Sequence, residues 1–96
     1  MEDFRRMAIF AAVVQGGSMS AAARQLDMTP SAVSQHIRQL EKDAGISLLH
    51  RSTRQLSLTD AGQRFYTQCA AMCEAADRAS AELAAERQQP SGELRL

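Results

Sequence analysis

The chain has 96 residues, eleven basic against eleven acidic side chains and 45% hydrophobic residues, which suits one folded domain and excludes a two-domain enzyme. Its longest apolar run, residues 7–14, is far shorter than the ~20 residues of a membrane span, and its two cysteines do not make a disulfide scaffold. Acidic residues at positions 2 and 3 have the wrong charge for a secretory signal, so we expect a cytoplasmic protein with reduced cysteines.

The neutral total conceals two halves of opposite charge. Residues 4–54 carry seven basic and three acidic side chains, a net +4, whereas residues 65–96 carry three basic and five acidic ones, a net −2. A basic half joined to an acidic half is typical of a head that binds a polyanion and a tail that does not. An ordinary solvated surface would explain the same charges, so this signal needs support from motifs.

Two helices are predicted at the start of the chain. Apolar residues recur at helical spacing over residues 4–14, and the pattern stops at Gly16 and the glycine that follows it. Ser18 or Ser20 is then placed to cap a second, short helix over residues 21–26. The alanines of this second helix allow a neighbouring helix to approach closely.

A third helix is predicted from Pro30 to Ala44, ending at Gly45. Thr29 supplies a capping hydroxyl, and proline is favoured at the first helical position. Its apolar side chains form one stripe: Val33, Ile37, Leu40 and Ala44. Small hydroxyls, amides and cations face roughly the other way: Ser31, Gln35, Arg38, Gln39 and Lys42, with Ser34 on the flank.

The pattern between Gly45 and Thr59 changes to that of a short β-hairpin. Leucines at positions 48, 49, 56 and 58 flank a polar segment at residues 50–55. We therefore expect Arg51 and Arg54 to lie at the tip of the hairpin.

A long last helix is predicted from Asp60, with no helix breaker before Pro90. About 30 helical residues span ~45 Å, which is longer than a domain of this size is wide. One face carries a seam with alternating steps of three and four residues: Gly62, Phe65, Cys69, Met72, Ala76, Ala79 and Leu83. A monomer has nothing to cover this stripe, so we predict a homodimer with these interface residues: Phe65, Cys69, Met72, Ala76, Ala79 and Leu83.

The chain ends on a segment that points to a larger protein. Residues 88–92 are typical of a hinge, and residues 93–96 of the opening of a strand that is cut off. We therefore expect the chain to belong to a larger protein.

A helix–turn–helix over residues 18–38 followed by a basic hairpin is the layout of a winged helix-turn-helix. In that layout the shorter helix lies against the DNA backbone and the polar face of the next helix enters the major groove. Serine, glutamine and arginine side chains can read base edges there. Arginines at the hairpin tip can reach phosphates or a narrow minor groove.

The residues of this layout also resemble the LysR-type transcriptional regulators, over nearly the whole chain from Phe4 to Leu96. The matching positions are Gly17-Ser18-Met19-Ser20-Ala21-Ala22-Ala23, Leu26, Ser31-Ala32-Val33-Ser34-Gln35-His36-Ile37, Leu40-Glu41, Gly45, Leu48, Arg51, Arg54 and Leu58-Thr59-Asp60-Ala61-Gly62.

The resemblance implies a mainly α fold and a division of the chain into three parts. These are a winged helix-turn-helix of three helices and a short β-hairpin at residues 1–59, a linker and dimerisation helix at residues 60–89, and a hinge with the start of an absent effector-binding domain at residues 90–96. It implies specific binding of a homodimer to promoter or operator DNA, under the control of a small molecule bound to that absent domain.

The resemblance also assigns DNA-contacting residues. Base-reading positions fall on Pro30, Ser31, Ser34 and Gln35; backbone-contacting positions fall on Ser18, Ser20 and Arg38; wing positions fall on Arg51 and Arg54, and Thr29 at the start of the third helix completes the set. Many members have glutamine at Pro30, arginine at Gln35 and phenylalanine at Leu49. The operator sequence therefore does not carry over from a relative.

Other classes of function have weaker support in the sequence. We expect no catalytic residues, cofactor or metal, because His36 and His50 have no partner at a recognisable spacing. Cys69 and Cys73 share a helix face, which would allow a redox or metal pair, but no Cys-x-x-Cys motif or nearby histidine supports one, and small apolar packing explains both.

Two other binding proteins remain as alternatives. A winged-helix DNA binder that senses its signal within the same small domain explains the chain before Thr59 but not its last residues. A coiled-coil interaction module explains the seam only. Salt-dependent DNA binding would exclude the interaction module, and the sequence beyond Leu96 would decide on the self-contained sensor.

Overall fold

The computed structural model describes residues 2–50 and 55–87 and is built from helices. Their bounds are α1 Glu2–Gly16, α2 Met19–Leu26, α3 Pro30–Ala44 and α4 Asp60–Arg87. The mainly α fold class is confirmed. No helix in the described part of the chain combines the length and apolar character that a membrane crossing needs.

Side-chain hydroxyls set the starts of α2 and α3. Ser18 Oγ accepts a hydrogen bond from the backbone N–H of Ala21 at 3.0 Å, which makes Ser18 the cap and places Ser20 inside the first turn. The predicted start of α2 at residue 21 is thus wrong by two residues, since helical backbone already begins at Met19. Thr29 Oγ1 accepts from Ala32 in the same way at 3.1 Å.

Residues in the left-handed region end α2 and α3. Asp27 follows α2 with φ 57°, a conformation that aspartate tolerates better than most residues, and this allows α3 to begin three residues later. Gly45 follows α3 with φ 69°, and its N–H donates to the carbonyl of Glu41 at 2.8 Å. The short connection after α2 fixes the angle between the two helices of the helix-turn-helix.

The core lies where α1, α2, α3 and the first half of α4 meet, and α1 contacts all three other helices. Its buried members are Ile9, Phe10, Ala11, Ala12, Val13, Ala22, Ala23, Val33, Ile37, Leu48, Leu49 and Cys69. Phe10 is the largest of the fully buried side chains. The buried alanines of α2 let this helix pack closely against its neighbours, as the sequence predicted.

The base of the predicted hairpin is present as one antiparallel bridge between Leu49 and Leu58. Next to it, the N–H of His50 donates to the carbonyl of Ser57 at 3.0 Å, and the N–H of Thr59 donates to the carbonyl of Leu48 at 3.0 Å. The predicted tip, with Arg51 and Arg54, lies outside the described residues. Within the described ranges, strand pairing is limited to this bridge.

Helix α4 has 28 residues, about 42 Å at 1.5 Å per residue, and its first half packs on α1. Gly62 and Cys69 are buried, and the ring of Phe65 lies 5.3 Å from that of Phe10. The expectation that a monomer leaves the whole seam uncovered is therefore wrong for this first half. Cys69 in particular is 0% exposed, so it cannot make the predicted contact with a second chain.

Burial of Cys69 makes the stability of the fold sensitive to alkaline pH. Burial, and secondarily the nearby Cys73, raises the pKa of the Cys69 thiol from 9.0 to about 12. Between pH 9 and 12 the unfolded chain therefore loses this proton while the folded chain keeps it, and the free energy of unfolding falls as pH rises.

We expect Cys69→Ala to flatten this fall between pH 8 and pH 10 relative to wild type, as measured by urea unfolding at both values. Because other groups titrate in the same range, only the difference between variant and wild type is diagnostic. Equal slopes for wild type and Cys69→Ala would contradict the assignment.

Candidate nucleic-acid interface

The polar face of α3 is exposed while its opposite face is anchored in the core. Val33 and Ile37 are fully buried, whereas Ser31, Gln35 and Arg38 are exposed. Ser34 is half-buried at the edge between the two faces. The anchored side fixes the helix, so the exposed side chains project from a rigid support.

The four side chains of this exposed face line one shallow concavity together with Ala32: Ser31, Ser34, Gln35 and Arg38. Hydroxyl and amide groups both donate and accept hydrogen bonds, and a guanidinium donates in a fork that matches a guanine edge or a phosphate. Carboxylates are missing from the lining, so the concavity suits an anionic ligand. We name these four residues the α3 strip.

A further cation extends the α3 strip. Lys42 is exposed one turn beyond Arg38, on the same side of the helix. It was on the predicted polar face but not among the candidate DNA contacts. Its spacing of four residues from Arg38 was the signal that could have placed it there.

The remaining candidates before residue 40 surround the starts of α2 and α3. Ser18, Ser20, Thr29 and Pro30 are all exposed. The oxygens of Ser18 and Thr29 accept the capping hydrogen bonds, so their hydroxyl hydrogens remain donors for an outside acceptor. Pro30 offers only apolar contact from its ring. Both helix starts carry the partial positive charge that favours phosphate.

A polar link between α1 and α3 was not anticipated. Arg6 Nε donates to His36 Nδ1 at 3.3 Å, and the Arg6 guanidinium lies 3.9 Å from a carboxylate oxygen of Asp43. Gln39 Nε2 also donates to Asp43, at 2.8 Å. These contacts lie beside the α3 strip rather than on it, and those of Arg6 hold the orientation of α3 against α1. No spacing rule predicts the contacts of Arg6, because they depend on how two helices cross. The bond between Gln39 and Asp43 lies within α3, at the four-residue spacing that favours such pairs.

Glu41 connects α3 to the base of the hairpin. Its Oε2 accepts hydrogen bonds from the backbone N–H groups of Leu48 at 2.8 Å and Leu49 at 3.2 Å. Thr59 Oγ1 donates to the carbonyl of Ser47 at 2.8 Å, which ties the same segment to the start of α4. The hairpin is therefore fixed relative to α3 at its base, a role that the sequence did not reveal.

The candidate dimer residues separate into two groups along α4. Phe65 and Met72 are half-buried, whereas Ala76, Ala79 and Leu83 are exposed, Leu83 by 74%. The second group lies beyond the part of α4 that packs on the core. Apolar side chains are thus presented to solvent along the projecting half of the helix.

Metal and redox sites find no support in the described residues. No group of three histidine, cysteine or acidic side chains lies close enough together there to hold a metal ion. Cys69 and Cys73 are free thiols. The pKa of Cys73 is raised, mainly by burial and then by Asp77, which disfavours a reactive thiolate.

Helix α3 is anchored in the core and exposes a polar strip. A short turn holds it at a fixed angle to α2, which is short and rich in alanine. This arrangement defines a helix-turn-helix protein. The profile of the family described as "Bacterial regulatory helix-turn-helix protein, lysR family" matches residues 4–63. The chain belongs to this LysR family, as its motifs indicated, and the family consists of regulators rather than enzymes.

Known relatives match the chain over a part of their own length. The HTH-type transcriptional activator AaeR of Escherichia coli (strain K12) is 43% identical over 96 residues, which is 100% of this chain and 31% of that protein. The structure of full-length LysG from Corynebacterium glutamicum, with bound effector Arg, is 26% identical with a TM-score of 0.75 over 86% of this chain and 28% of that one.

A solved complex with DNA is also similar. The structure of the BenM DNA-binding domain with catB site 1 DNA has a TM-score of 0.78 and 28% sequence identity, over 95% of this chain and 98% of that chain. The fold described above is thus the fold of a domain that has been seen bound to DNA.

Proposed function

We propose that this chain binds double-stranded DNA in a sequence-specific manner, as the N-terminal part of a transcription regulator. The observation that carries the proposal is the α3 strip, an exposed polar surface without carboxylates on a helix anchored by Val33 and Ile37. The match to a DNA-bound BenM domain supports the same use of this face. Neither an enzyme nor a coiled-coil interaction module would require this exposed polar strip.

In this mechanism α3 lies in the major groove and selects the sequence. The side chains of Gln35, Ser31 and Ser34 contact base edges. The ring of Pro30, at the start of the helix, makes an apolar contact with the bases. Ser18, Ser20 and Thr29 donate to phosphates beside the groove, and Arg38 adds a charged contact. The phosphate contacts supply most of the affinity and the base contacts supply the discrimination.

Two copies are needed to hold two recognition helices at a fixed spacing. The projecting half of α4 presents Ala76, Ala79 and Leu83, and the half-buried Met72 lies one turn before them. The small residues among them allow a second helix to approach closely. We propose that α4 joins two chains into a homodimer that binds two half-sites.

We propose that a part of the regulator outside this chain controls its DNA binding. Relatives are about three times as long as this chain, and LysG contains a bound effector. We propose that residues 88–92 are a hinge to a C-terminal domain that binds a small molecule, and that the protein acts in the cytoplasm, in association with the nucleoid.

Selection of bound duplexes from a random DNA pool tests the proposed function. We expect enrichment of one short half-site, present twice at a constant spacing that reflects the two-fold symmetry of the dimer. A bound pool with no enriched sequence would contradict specific recognition.

Base contact by Gln35 predicts a loss of discrimination when its amide is removed. We expect Gln35→Ala to weaken binding to the selected duplex by about 1–3 kcal/mol while binding to random duplex stays nearly the same. Gln39→Ala is the matched control, because Gln39 lies one turn further on α3 and its amide is bonded to Asp43. An equal loss of affinity for both duplexes would indicate that Gln35 contacts phosphate and not base edges.

Phosphate contact by the wing predicts a change in salt dependence. Replacing Arg51 or Arg54 by Ala should weaken binding to all sequences and reduce the slope of log K against log salt by about one unit each. Titrations at several salt concentrations measure this slope. A slope that stays at the wild-type value would mean that neither arginine neutralises a phosphate.

A further inference from the structure

A second shallow concavity lies beside the α3 strip, between the end of α2 and the start of α3. Its lining residues are Ser20, Ala23, Arg24, Asp27, Met28 and Pro30, and we name it the α2–α3 notch. Pro30 is followed directly by Ser31, which belongs to the α3 strip. The notch therefore adjoins the surface that we propose to read DNA, and it contains two of the proposed DNA contacts, Ser20 and Pro30.

Arg24 brings a cation into the notch. It is exposed and lies four residues after Ser20, so both side chains project from the same side of α2. On the opposite side of this helix, Ala22 is fully buried and fixes α2 to the core. Within the described residues, the guanidinium of Arg24 has no ion pair or hydrogen bond. It is therefore available to an anion outside the chain, although the sequence did not place Arg24 among the DNA contacts.

Asp27 limits where an anion can bind in the notch. It is exposed at the end of α2, in the left-handed region with φ 57°, and its carboxylate would repel a phosphate close to it. Ser20 lies in the first turn of α2, and its hydroxyl can donate to a phosphate. An anion is therefore favoured between Ser20 and Arg24, on the side of the notch away from Asp27.

The helix-turn-helix layout indicates which part of the DNA the notch faces. With α3 in the major groove, α2 lies across the sugar-phosphate backbone at the edge of the groove. The groove is ~12 Å wide, about the diameter of a helix with its side chains, so this backbone runs close beside α3. The notch opens between these two helices at the start of α3, and it therefore faces phosphates rather than base edges.

We infer that Arg24 binds a backbone phosphate at the edge of the major groove, next to the phosphate that Ser20 contacts. This inference rests on the proposed function and adds to it a charged contact on the α2 side of α3. A guanidinium binds phosphate through two parallel N–H donors, which fixes orientation as well as adding affinity. Arg24 thereby helps to set the register of α3 in the groove, and it contributes equally to binding on all sequences.

The salt dependence of DNA binding tests this contact. Arg24→Gln should reduce the slope of log K against log salt by about 0.9, on both the selected duplex and a random one. Between about 50 and 200 mM salt, wild-type affinity should thus fall about 3.5-fold more than that of the variant. Arg24→Lys should keep the wild-type slope, because a lysine ammonium neutralises phosphate as a point charge.

Gln25→Glu is the matched control, because it changes the net charge by the same unit on the next residue of the same helix. Gln25 is exposed, but it lies about 100° further round α2 and outside the lining of the notch. The salt slope of this variant should stay near that of wild type. Since neither Arg24 nor Gln25 is buried, all variants should remain folded, which circular dichroism verifies.

Uncharged methylphosphonate, placed at one phosphate of the selected duplex at a time, locates the contact. At the phosphate that Arg24 binds, wild type should lose affinity by about tenfold or more, because a hydrogen bond between charged groups is lost. Arg24→Gln should lose little further affinity at the same position, whereas Gln25→Glu should lose as much as wild type.

The outcomes separate this inference from the proposed function. A wild-type chain that binds neither duplex would overturn both. A wild-type chain that binds the selected duplex, with an Arg24→Gln variant whose salt slope and phosphate sensitivities match those of wild type, would overturn only the contact by Arg24.

Discussion

Replacing Ala76 by Glu should convert the chain into a monomer whose head remains folded. Ala76 is exposed on the half of α4 that projects beyond the core, so the head loses no internal contact. In the dimer the new carboxylate would be desolvated without a partner, and we expect the dimer dissociation constant to rise by about two orders of magnitude. Light scattering across a concentration series measures the change.

DNA binding should fall together with the dimer. A monomer engages one half-site and no longer gains from a second, tethered head, so its affinity for a two-half-site duplex should approach that for a single half-site. Met72→Asp should behave in the same way. Ala81→Glu is the control on the opposite side of α4 and should leave both mass and affinity unchanged. A dimeric Ala76→Glu chain would contradict the assignment of this face.

Replacing Gly62 by Ala should destabilise the fold by about 3 kcal/mol, in the opposite direction to helix propensity. A Cβ at Gly62 would overlap the carbonyl oxygen of Leu48 and lie 3.0 Å from its carbonyl carbon. This carbonyl cannot move away freely because it accepts the N–H of Thr59, and the hydroxyl of Thr59 in turn accepts the N–H of Gly62.

Urea unfolding of Gly62→Ala and of the neighbouring control Gln63→Ala measures this effect. Without the clash, glycine to alanine within a helix would stabilise the chain by about 1 kcal/mol. The sign of the change is therefore diagnostic. A Gly62→Ala chain that is as stable as wild type, or more stable, would mean that α4 does not approach Leu48 so closely.

The sequence revealed those features that local chemistry controls. The cap at Thr29, the proline after it and the glycine at position 45 bound α3 correctly, because each acts on backbone within a few residues. The exposure of Ser31, Gln35 and Arg38 followed from the helical period once Val33 and Ile37 were assigned to the core. The exposed face of α3 could thus be predicted without a structure.

The features that were missed depend on contacts between distant segments. Periodicity shows that one face of α4 is apolar, but it does not show what covers each part of that face. The sequence therefore predicts a partner chain along the whole seam, and it does not reveal that the core buries Cys69. Likewise, the hydrogen bonds that Glu41 accepts from Leu48 and Leu49, and the one that Arg6 donates to His36, depend on the packed arrangement of α1, α3 and the hairpin base.

Specific recognition by a pair of α3 helices is tested most directly by the stoichiometry and affinity of the chain on the selected duplex, compared with a duplex in which one half-site is scrambled. Two chains should bind the intact duplex, and scrambling one half-site should weaken binding by about two orders of magnitude at constant salt. Equal affinity for both duplexes, or for a fully scrambled one, would contradict specific recognition by a pair of α3 helices.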